Sequence, residues 1–222
     1  MSSIFILNVF GYYIDIIGGR CQIAAMAQRE KFHHGDLRHT LIEAGHSVLN
    51  EGGVDQLSLR DLSTRAGVSQ SAPYRHFKNK EALLQELIDG GLHELMLAYQ
   101  EAADLAASPK ERLRRACHAY LAFAADRPGL FQLVFESNGK FSATSISSSD
   151  DSPSFVLFVK MVAAAAPGLP EDKRLEAASA CWSVIHGFAS LKSHGEFPKE
   201  VDETSLQINV VDIAIAAIRQ IV

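Results

Sequence analysis

The sequence predicts an all-α protein, with a three-helix helix-turn-helix domain near the N-terminus followed by a larger C-terminal helical bundle. Two observations support this prediction. Apolar residues recur at spacings of three and four in one segment after another, which is the period of an amphipathic helix. We find no convincing run in which apolar and polar residues alternate, the pattern of a half-buried strand. The 222 residues suffice for one large domain or two small ones.

The composition is that of an ordinary globular chain, 47% hydrophobic and 21% charged. The formal charge of -5 provides no overall basic field, so any binding to nucleic acid has to rest on a local patch. Cys21, Cys117 and Cys181 are an odd number of cysteines, lie far apart and form no C-x-x-C pair. We therefore expect neither a disulfide framework nor a zinc site, no cofactor, and a reducing cytoplasmic compartment.

Residues 1–30 are predicted to be an N-terminal extension. The first 25 residues are apolar and almost uncharged, but Asp15 and three glycines interrupt them, so they are too broken for a membrane-spanning helix. They also lack the positively charged start of a signal peptide. We expect this segment to be disordered, or to precede a true start at Met26. A membrane-associating tail is the alternative, although we expect no stable membrane association.

The helix-turn-helix domain is predicted over residues 31–95. Its first helix lies in "GDLRHTLIEAGHSVLNEGG", where one apolar stripe runs at spacings of four and three. The second begins at an N-cap serine, Ser58, and stops at Gly67, where a turn requires a residue that tolerates a positive backbone angle. The stripe consists of Leu37, Leu41, Ala44 and Val48, and the next helices are predicted over residues 59–66, 69–77 and 78–107.

The second domain is predicted over residues 96–222. Ser108 suits an N-cap because a proline follows it at the first helical position. The serine-rich residues 137–154 hold almost no bulky apolar side chain and are predicted to form a flexible loop. The last helix is apolar on nearly every side, which indicates core on one face and a partner subunit on the other. One helix is predicted from the Ser108 cap to the residue before Pro128, and a short helix is predicted in "GLFQLVFES". Further helices are predicted over residues 155–165, 170–194 and 202–221.

The predicted helix-turn-helix differs in charge from the rest of the chain. From Arg60 to Lys80 there are five Lys/Arg residues and one acid, a net charge of +4 in a chain that is acidic overall. Such a concentration of cations suits the phosphates of DNA. We expect Phe77 in the core and Tyr74 on the surface. The predicted DNA contacts are Arg60, Ser69, Gln70, Ser71, Tyr74, His76 and Lys80.

The stretch "GGVDQLSLRDLSTRAGVSQSAPYRHFKNKEALL" closely resembles the DNA-binding domain of TetR-family transcriptional regulators. The resemblance covers roughly residues 35–95. The run Tyr-x-His-Phe followed by x-Asn-Lys-Glu-x-Leu-Leu is specific to that family, although Pro73 stands where many members have leucine. In the second domain, "CWSVIHGFASL" is similar to a Trp-His-Gly ligand-domain subgroup through Trp182 and His186-Gly187.

The resemblance implies an all-helical homodimer whose first three helices bind an operator in double-stranded DNA. The C-terminal helices would form a ligand pocket and the dimer interface, and a small effector would release a repressor from its operator. An apolar or aromatic effector is expected, because the pocket candidates are mostly aromatic. Core packing is the default interpretation of the same residues. The candidates are Tyr120, Phe123, Phe131, Phe135, Phe158, Trp182 and His186.

Two alternatives stay open beside this regulator. One is a DNA-binding dimer that responds to no effector and uses its C-terminal half only to dimerise. The other is an enzyme with an incidental helix-turn-helix. Cys181 and His186 are five residues apart, which places them off a common helical face, and no orienting acid is nearby. His33-His34 is read as a solvated polar pair, because adjacent residues point apart on a helix.

Overall fold

The computed structural model describes residues 37–136 and 153–221, together with three short strands within the first 23 residues. Contacts divide the chain into two units, Met1–Leu37 and Arg38–Val222. The predicted domain boundary near residue 95 lies within the second unit and stays a prediction. Most of the predicted loop, residues 137–152, lies outside the described residues, as do Met26 and the His33-His34 pair.

The first unit contains an antiparallel sheet in the order β1 (Phe5–Leu7), β2 (Tyr13–Ile17) and β3 (Arg20–Ile23). Ile17 pairs with Arg20 across the second hairpin. These strands were not predicted from the sequence. Two signals for them are present in the sequence, because isoleucine and aromatic residues favour strands and Gly18-Gly19 is a pair typical of two-residue hairpin loops.

The described part of the second unit is helical throughout, which confirms the predicted fold class. Three short 3-10 helices accompany eight α-helices over these residues. The α-helices are α1 (Leu37–Gln56), α2 (Leu59–Arg65), α3 (Lys80–Asp104), α4 (Pro109–Asp126), α5 (Pro128–Glu136), α6 (Pro153–Ala165), α7 (Arg174–Ser193) and α8 (Glu203–Ala217). The 3-10 helices are Pro73–Arg75, Glu171–Lys173 and Ile218–Gln220.

Several helix ends follow directly from local sequence. The Ser58 and Ser108 side chains accept hydrogen bonds from backbone N–H groups three residues on, as an N-cap does. Gly67 has φ 66° at the end of α2, a conformation that L side chains rarely adopt. Gly53, with φ 72°, breaks α1 near the position where the sequence predicted its end. These ends therefore need no tertiary contact to explain them.

Helix α3 is the central element of the second unit, because it contacts α4, α5 and α6. Its Gly90-Gly91 pair does not interrupt it. Gly91 is buried, and a Cβ there would lie 3.1 Å from the Leu130 side chain, so the missing side chain lets α5 pack closely. The N-terminal end of α3 carries Leu83, Leu84 and Leu87, all of which are fully buried.

Helix α8 buries one apolar face and leaves two large apolar side chains exposed; its predicted contact with a partner subunit stays a prediction. Val211 and Ala214 are buried against the rest of the unit, where α8 packs on α7 and α4. Ile208 and Ile213, which lie five residues apart on the outward part of the helix, are 53% and 55% exposed. No helix in the described parts of the chain is both long and apolar enough to cross a membrane.

Candidate nucleic-acid interface and aromatic cluster

The helix-turn-helix begins with α2, which is anchored through its buried side. Leu62 is fully buried, and the buried Ser63 hydroxyl donates to the Arg60 carbonyl at 2.7 Å. After Gly67 the chain turns back, and the Val68 N–H donates to the Ser63 carbonyl at 3.0 Å. The turn predicted at Gly67-Val68 is thus present, held by a backbone hydrogen bond.

The segment after the turn differs from its prediction. Residues 69–77 do not form a continuous helix; they contain a bend and then the 3-10 helix Pro73–Arg75. Pro73 has no N–H to donate to the Ser69 carbonyl, so a regular helix cannot run through it. The Ala72 N–H bonds the Ser69 carbonyl at 2.9 Å instead, and the Phe77 N–H bonds the Pro73 carbonyl at 2.9 Å. We call residues 69–77 the recognition segment.

The recognition segment separates its apolar and polar side chains. Phe77 is only 3% exposed, as predicted, and the Arg38 guanidinium lies 5.7 Å from the centroid of its ring. Tyr74 is 58% exposed, also as predicted. The remaining predicted contacts of this segment, Ser69, Gln70, Ser71 and His76, are all exposed. The polar side therefore faces outward as one surface.

Two of the five cations counted in this region bind other groups of the protein. Arg65 binds Glu51 through two hydrogen bonds of 2.8 and 2.9 Å, and its Nε lies 3.1 Å from Asp61. These bonds join α2 to α1; the hydrogen bond from Arg65 lowers the pKa of Glu51. Lys80 donates from Nζ to the Val54 carbonyl at 2.7 Å.

Three exposed cations remain beside the recognition segment. Arg60, Arg75 and Lys78 are exposed and form no ion pair within the described residues. Lys80 is half-buried, but its ammonium group has two further N–H donors, so a phosphate contact stays a prediction for it. The net positive charge predicted from the sequence is therefore carried at the surface mainly by these three side chains.

A second candidate site is a cluster of rings between α4, α5 and α7. Trp182 and His186 stack with ring centroids 4.8 Å apart. The Tyr120 hydroxyl lies 2.7 Å from His186 Nδ1. Phe135 is 5.6 Å from the ring of Tyr120 and 5.8 Å from that of His186, and Phe131 is 5.3 Å from Phe135. We call these five residues the aromatic cluster.

The other two pocket candidates lie outside this cluster. Phe158 is buried and reaches it only through Phe155, whose ring is 6.4 Å from Phe158 and 5.9 Å from Trp182. Phe123 is buried and has no ring contact with the cluster among the described residues. Within the cluster, Tyr120 and Phe131 are buried, whereas Phe135, Trp182 and His186 are half-buried. The half-buried rings are the ones that a ligand could reach.

The two cysteines of the helical unit lack the features of a nucleophile. Cys117 and Cys181 are fully buried, and the hydrogen bond with Cys181 together with burial raises the pKa of Cys117 well above its usual value. A thiol in that state is protonated at neutral pH. His186 Nδ1 is engaged by Tyr120. In the described residues no three His, Cys, Asp or Glu side chains come close enough together to hold a metal ion.

One contact between α1 and α5 was not predicted from the sequence. The Gly129 N–H donates to the Asn50 side chain of α1 at 3.2 Å, and a Cβ on Gly129 would lie 2.2 Å from the Leu49 carbonyl oxygen. Arg127, just before α5, bonds Glu94 of α3 at 3.1 Å. The same helix α5 carries Phe131 and Phe135, so one short element joins the aromatic cluster to α1.

Comparisons with known proteins agree with this arrangement. A sequence model described as "Bacterial regulatory proteins, tetR family" matches residues 41–87, which hold α2 and the recognition segment. A second, described as "Tetracyclin repressor-like, C-terminal domain", matches residues 113–213, which hold the aromatic cluster. Together the two models cover more than half of the chain.

The chain belongs to the TetR family.

Individual relatives of this TetR-family chain match over short stretches. The HTH-type transcriptional repressor KstR2 of Mycobacterium tuberculosis is 34% identical over 77 residues, 35% of this chain and 38% of that protein. The tetracycline repressor protein class A from transposon 1721, from Escherichia coli, is 50% identical over 56 residues, 25% of this chain and 26% of that protein. The chain thus spans less than two fifths of the length of these curated relatives.

A solved structure matches over nearly its whole length. A protein of unknown function from Rhodococcus sp. RHA1 shares 29% identity and a TM-score of 0.69, covering 86% of this chain and 98% of that chain. The two proteins therefore share a fold over most of the helical unit. The Trp-His-Gly subgroup stays a prediction for this TetR-family chain.

Three residues that position these sites were not predicted to do so: Arg65, Asn50 and Gly129. Arg65 was counted as a cation for DNA. A signal for its pairing was available, because Asp61 precedes it by four residues on α2, the spacing of a helical ion pair. Asn50 and Gly129 lie 79 positions apart, and no local pattern joins them.

Proposed function

We propose that this protein is a transcriptional regulator that binds an operator in double-stranded DNA as a homodimer in the cytoplasm. We further propose that it is a repressor, released by a small apolar or aromatic effector. The observation that carries the proposal is the recognition segment, which buries Phe77 and exposes Tyr74 beside three cations with no ion pair in the described residues. Relatives that are named as repressors support the same role.

The DNA-binding surface has two kinds of side chain. Arg60, Arg75 and Lys78 would bind phosphates, which orient the protein on the duplex without reading its sequence. Tyr74 and Gln70, with their exposed neighbours, would face the edges of bases in the major groove. Arg65 supports this surface from behind, because its bonds to Glu51 keep α2 in place on α1.

Lys78 and Lys80 are expected to differ in stability, because only Lys80 donates to a carbonyl of the protein among the described residues. Lys78→Ala is expected to reduce the slope of log affinity against log salt by about one unit, because one lost phosphate contact releases about one counterion fewer. Lys80→Ala is expected to lower the free energy of unfolding by about 1 kcal/mol, because the Val54 carbonyl loses its internal donor. Salt titrations of binding to a labelled operator and urea unfolding measure the two effects; equal slopes and equal stabilities in both variants would contradict the assignment.

The homodimer would form on the exposed faces of α7 and α8. Ile208, Ile213 and Leu191 are large apolar side chains, each 47% to 55% exposed. Gly187 of α7 has nothing within 4 Å of the place of a Cβ, which leaves room for the close approach of another helix. A two-fold axis here would place two recognition segments on one duplex, where successive half-sites lie about 34 Å apart.

Ile213→Glu is expected to convert the dimer into a monomer, because a carboxylate would have to be buried at the interface without a partner. Operator affinity should fall at least about tenfold, since one half-site then has to be bound alone. Gln100→Glu, an exposed position on α3 that changes the charge by the same amount, is the control. Sedimentation velocity gives the mass; a dimeric Ile213→Glu variant would move the interface to another face.

The effector would bind at the half-buried rings of the aromatic cluster and act through α5. His186 and Tyr120 supply a polar edge in an otherwise apolar wall. A ligand that displaces Phe131 or Phe135 would move α5, and α5 is locked to α1 through Gly129 and Asn50. The change in α1 would alter the separation of the two recognition segments and shift the population away from the DNA-bound spacing.

A footprint of the full chain on the DNA that flanks its own gene, at two salt concentrations, tests the proposal. A protected and roughly palindromic site is expected, with stronger protection at the lower salt. The absence of any protected site with folded, dimeric protein would count against an operator near the gene. An operator that is bound but that no apolar or aromatic compound releases would favour the effector-independent dimer.

A further inference from the structure

A surface groove lies between α6 and the start of α7, outside the aromatic cluster. Its volume is about 340 Å³, within the range of small-molecule sites. One side comes from α6, whose residues recur there at spacings of three and four, and the other from the 3-10 helix Glu171–Lys173 and the first turn of α7. The lining residues are Phe155, Val156, Val159, Lys160, Ala163, Glu171, Arg174 and Leu175.

The groove is apolar along its walls and positive at its rim. Phe155, Val159 and Leu175 are among the apolar walls, and the charged lining residues are Lys160, Arg174 and Glu171. Among the described residues that line the groove there are two cations and one carboxylate, that of Glu171. This charge pattern suits a ligand with an apolar body and a single anionic group.

Neither cation is strongly paired among the described residues. Lys160 is exposed and forms no ion pair within the described residues. The Arg174 Nη1 lies 3.6 Å from Glu171, whose side chain is 89% exposed, and an exposed pair at that distance is weak. The Nε of Arg174 is buried and has no hydrogen-bond partner. The Arg174 side chain as a whole is 42% exposed, and arginine binds a carboxylate through two parallel N–H groups.

The groove adjoins the aromatic cluster at one side chain, Phe155, although no residue of the cluster lines it. Phe155 lines the groove, and its ring lies 5.9 Å from Trp182 in an edge-on arrangement. Trp182 in turn stacks on His186. A ligand whose anionic end lies at Arg174 and Lys160 would therefore place its apolar body beside Phe155, next to the half-buried rings of the cluster.

We propose that the α6–α7 groove is the entrance and anionic anchor of the effector site, and that the effector is an organic carboxylate with an extended apolar body. This inference rests on the proposed function, because it assigns a ligand class to the effector. Arg174 and Lys160 bind the carboxylate, Phe155 and Val159 contact the apolar body, and the far end reaches Trp182.

Trp182 is the only tryptophan of the chain, so its fluorescence reports binding without any DNA. The probe is decanoate, added to the full-length protein. The matched compounds are 1-decanol, which keeps the apolar body without the charge, and decyltrimethylammonium, which reverses the charge. We expect a saturable change with decanoate at a concentration at least tenfold lower than with decanol, and none with the cation. Equal affinities for decanoate and decanol would overturn the anionic anchor.

Substitutions in the groove test the same anionic anchor by changing the protein instead of the ligand. Arg174→Gln and Lys160→Gln are each expected to weaken decanoate binding about fivefold to tenfold and to leave decanol unaffected. Lys110→Gln, an exposed lysine on α4, removes the same charge elsewhere and is expected to change nothing. Unchanged decanoate affinity in both groove variants, with thermal unfolding confirming that they are folded, would overturn the proposal.

Release of a labelled operator, measured separately, distinguishes failure of the groove proposal from failure of the proposed DNA-binding function. Decanoate that binds by fluorescence but leaves the operator bound would support the groove and contradict its role as the effector site. An operator bound by the protein, with no fluorescence response to decanoate, would overturn the groove and leave the DNA-binding proposal standing. Absence of any operator binding, with decanoate bound, would contradict the regulator itself.

Discussion

Gly129→Ala is expected to destabilise the protein by about 3 kcal/mol, among the largest effects that one added methyl group can have here. The new Cβ would lie 2.2 Å from the carbonyl oxygen and 2.3 Å from the carbonyl carbon of Leu49. Backbone atoms cannot rotate out of the way as the end of a side chain can. Helix α5 would have to move off α1, which also breaks the bond from the Gly129 N–H to Asn50.

Gly90→Ala is the matched control, because it makes the same substitution on the exposed side of a helix. Nothing lies within 4 Å of a Cβ at Gly90, so alanine should stabilise α3 by up to about 1 kcal/mol through its higher helix propensity. Urea unfolding of both variants measures the difference. If Gly129→Ala were as stable as the unmodified protein, the close contact between α5 and α1 would not exist in solution.

The same variant tests the proposed route from effector to DNA. Gly129→Ala should still bind ligand at the half-buried rings, because those rings lie on the far part of α5 and on α7. Its operator should no longer be released in proportion to ligand bound, because α5 has lost its fixed contact with α1. An unchanged release curve in a folded Gly129→Ala variant would place the coupling elsewhere.

Phe77→Ala is expected to lower the free energy of unfolding by about 3 to 5 kcal/mol, the usual cost of deleting a buried phenylalanine. The side chain is 3% exposed and holds the recognition segment onto the domain, with Arg38 beside its ring. Operator binding should be lost as a consequence, because the segment has no other large apolar anchor among its own side chains.

Tyr74→Ala is the comparison three residues away, and its expected profile is the reverse. Tyr74 is 58% exposed, so stability should stay within about 0.5 kcal/mol of the unmodified protein. Affinity for the operator should fall by about 1 kcal/mol or more, with relaxed preference at the bases it contacts. Urea unfolding and binding to operator and scrambled DNA separate the two variants. A Tyr74→Ala protein with unchanged operator affinity would show that the exposed face of the recognition segment does not read DNA.

Much of the fold follows from local signals. The predicted caps at Ser58 and Ser108 and the turn at Gly67 are present because each depends only on residues within one turn of helix. The placing of Phe77 inside and Tyr74 outside was also predicted correctly. The helix predicted over residues 69–77 was wrong in length, because Pro73 lacks a backbone donor that a continuous helix there would need.

The candidate sites were only partly predictable. The exposed residues of the recognition segment match the prediction, but two of the five cations bind other parts of the protein, Arg65 at Glu51 and Lys80 at Val54. A count of charges along the chain cannot show which side chains are already paired. In the same way, Trp182 and His186 were expected on one face, four residues apart, whereas their meeting with Tyr120 depends on how α4 packs on α7.

The sequence by itself determined the helices, most of their ends, the family and the exposed face of the recognition segment, because periodicity, capping and turn chemistry act over a few neighbouring residues. Only the tertiary structure decided which charges stay free, that α5 packs closely on α1 at Gly129, and that Lys160 and Arg174 line one groove together with Phe155. Those features join residues tens of positions apart, and they arise from close packing, which brings together groups that no local pattern relates.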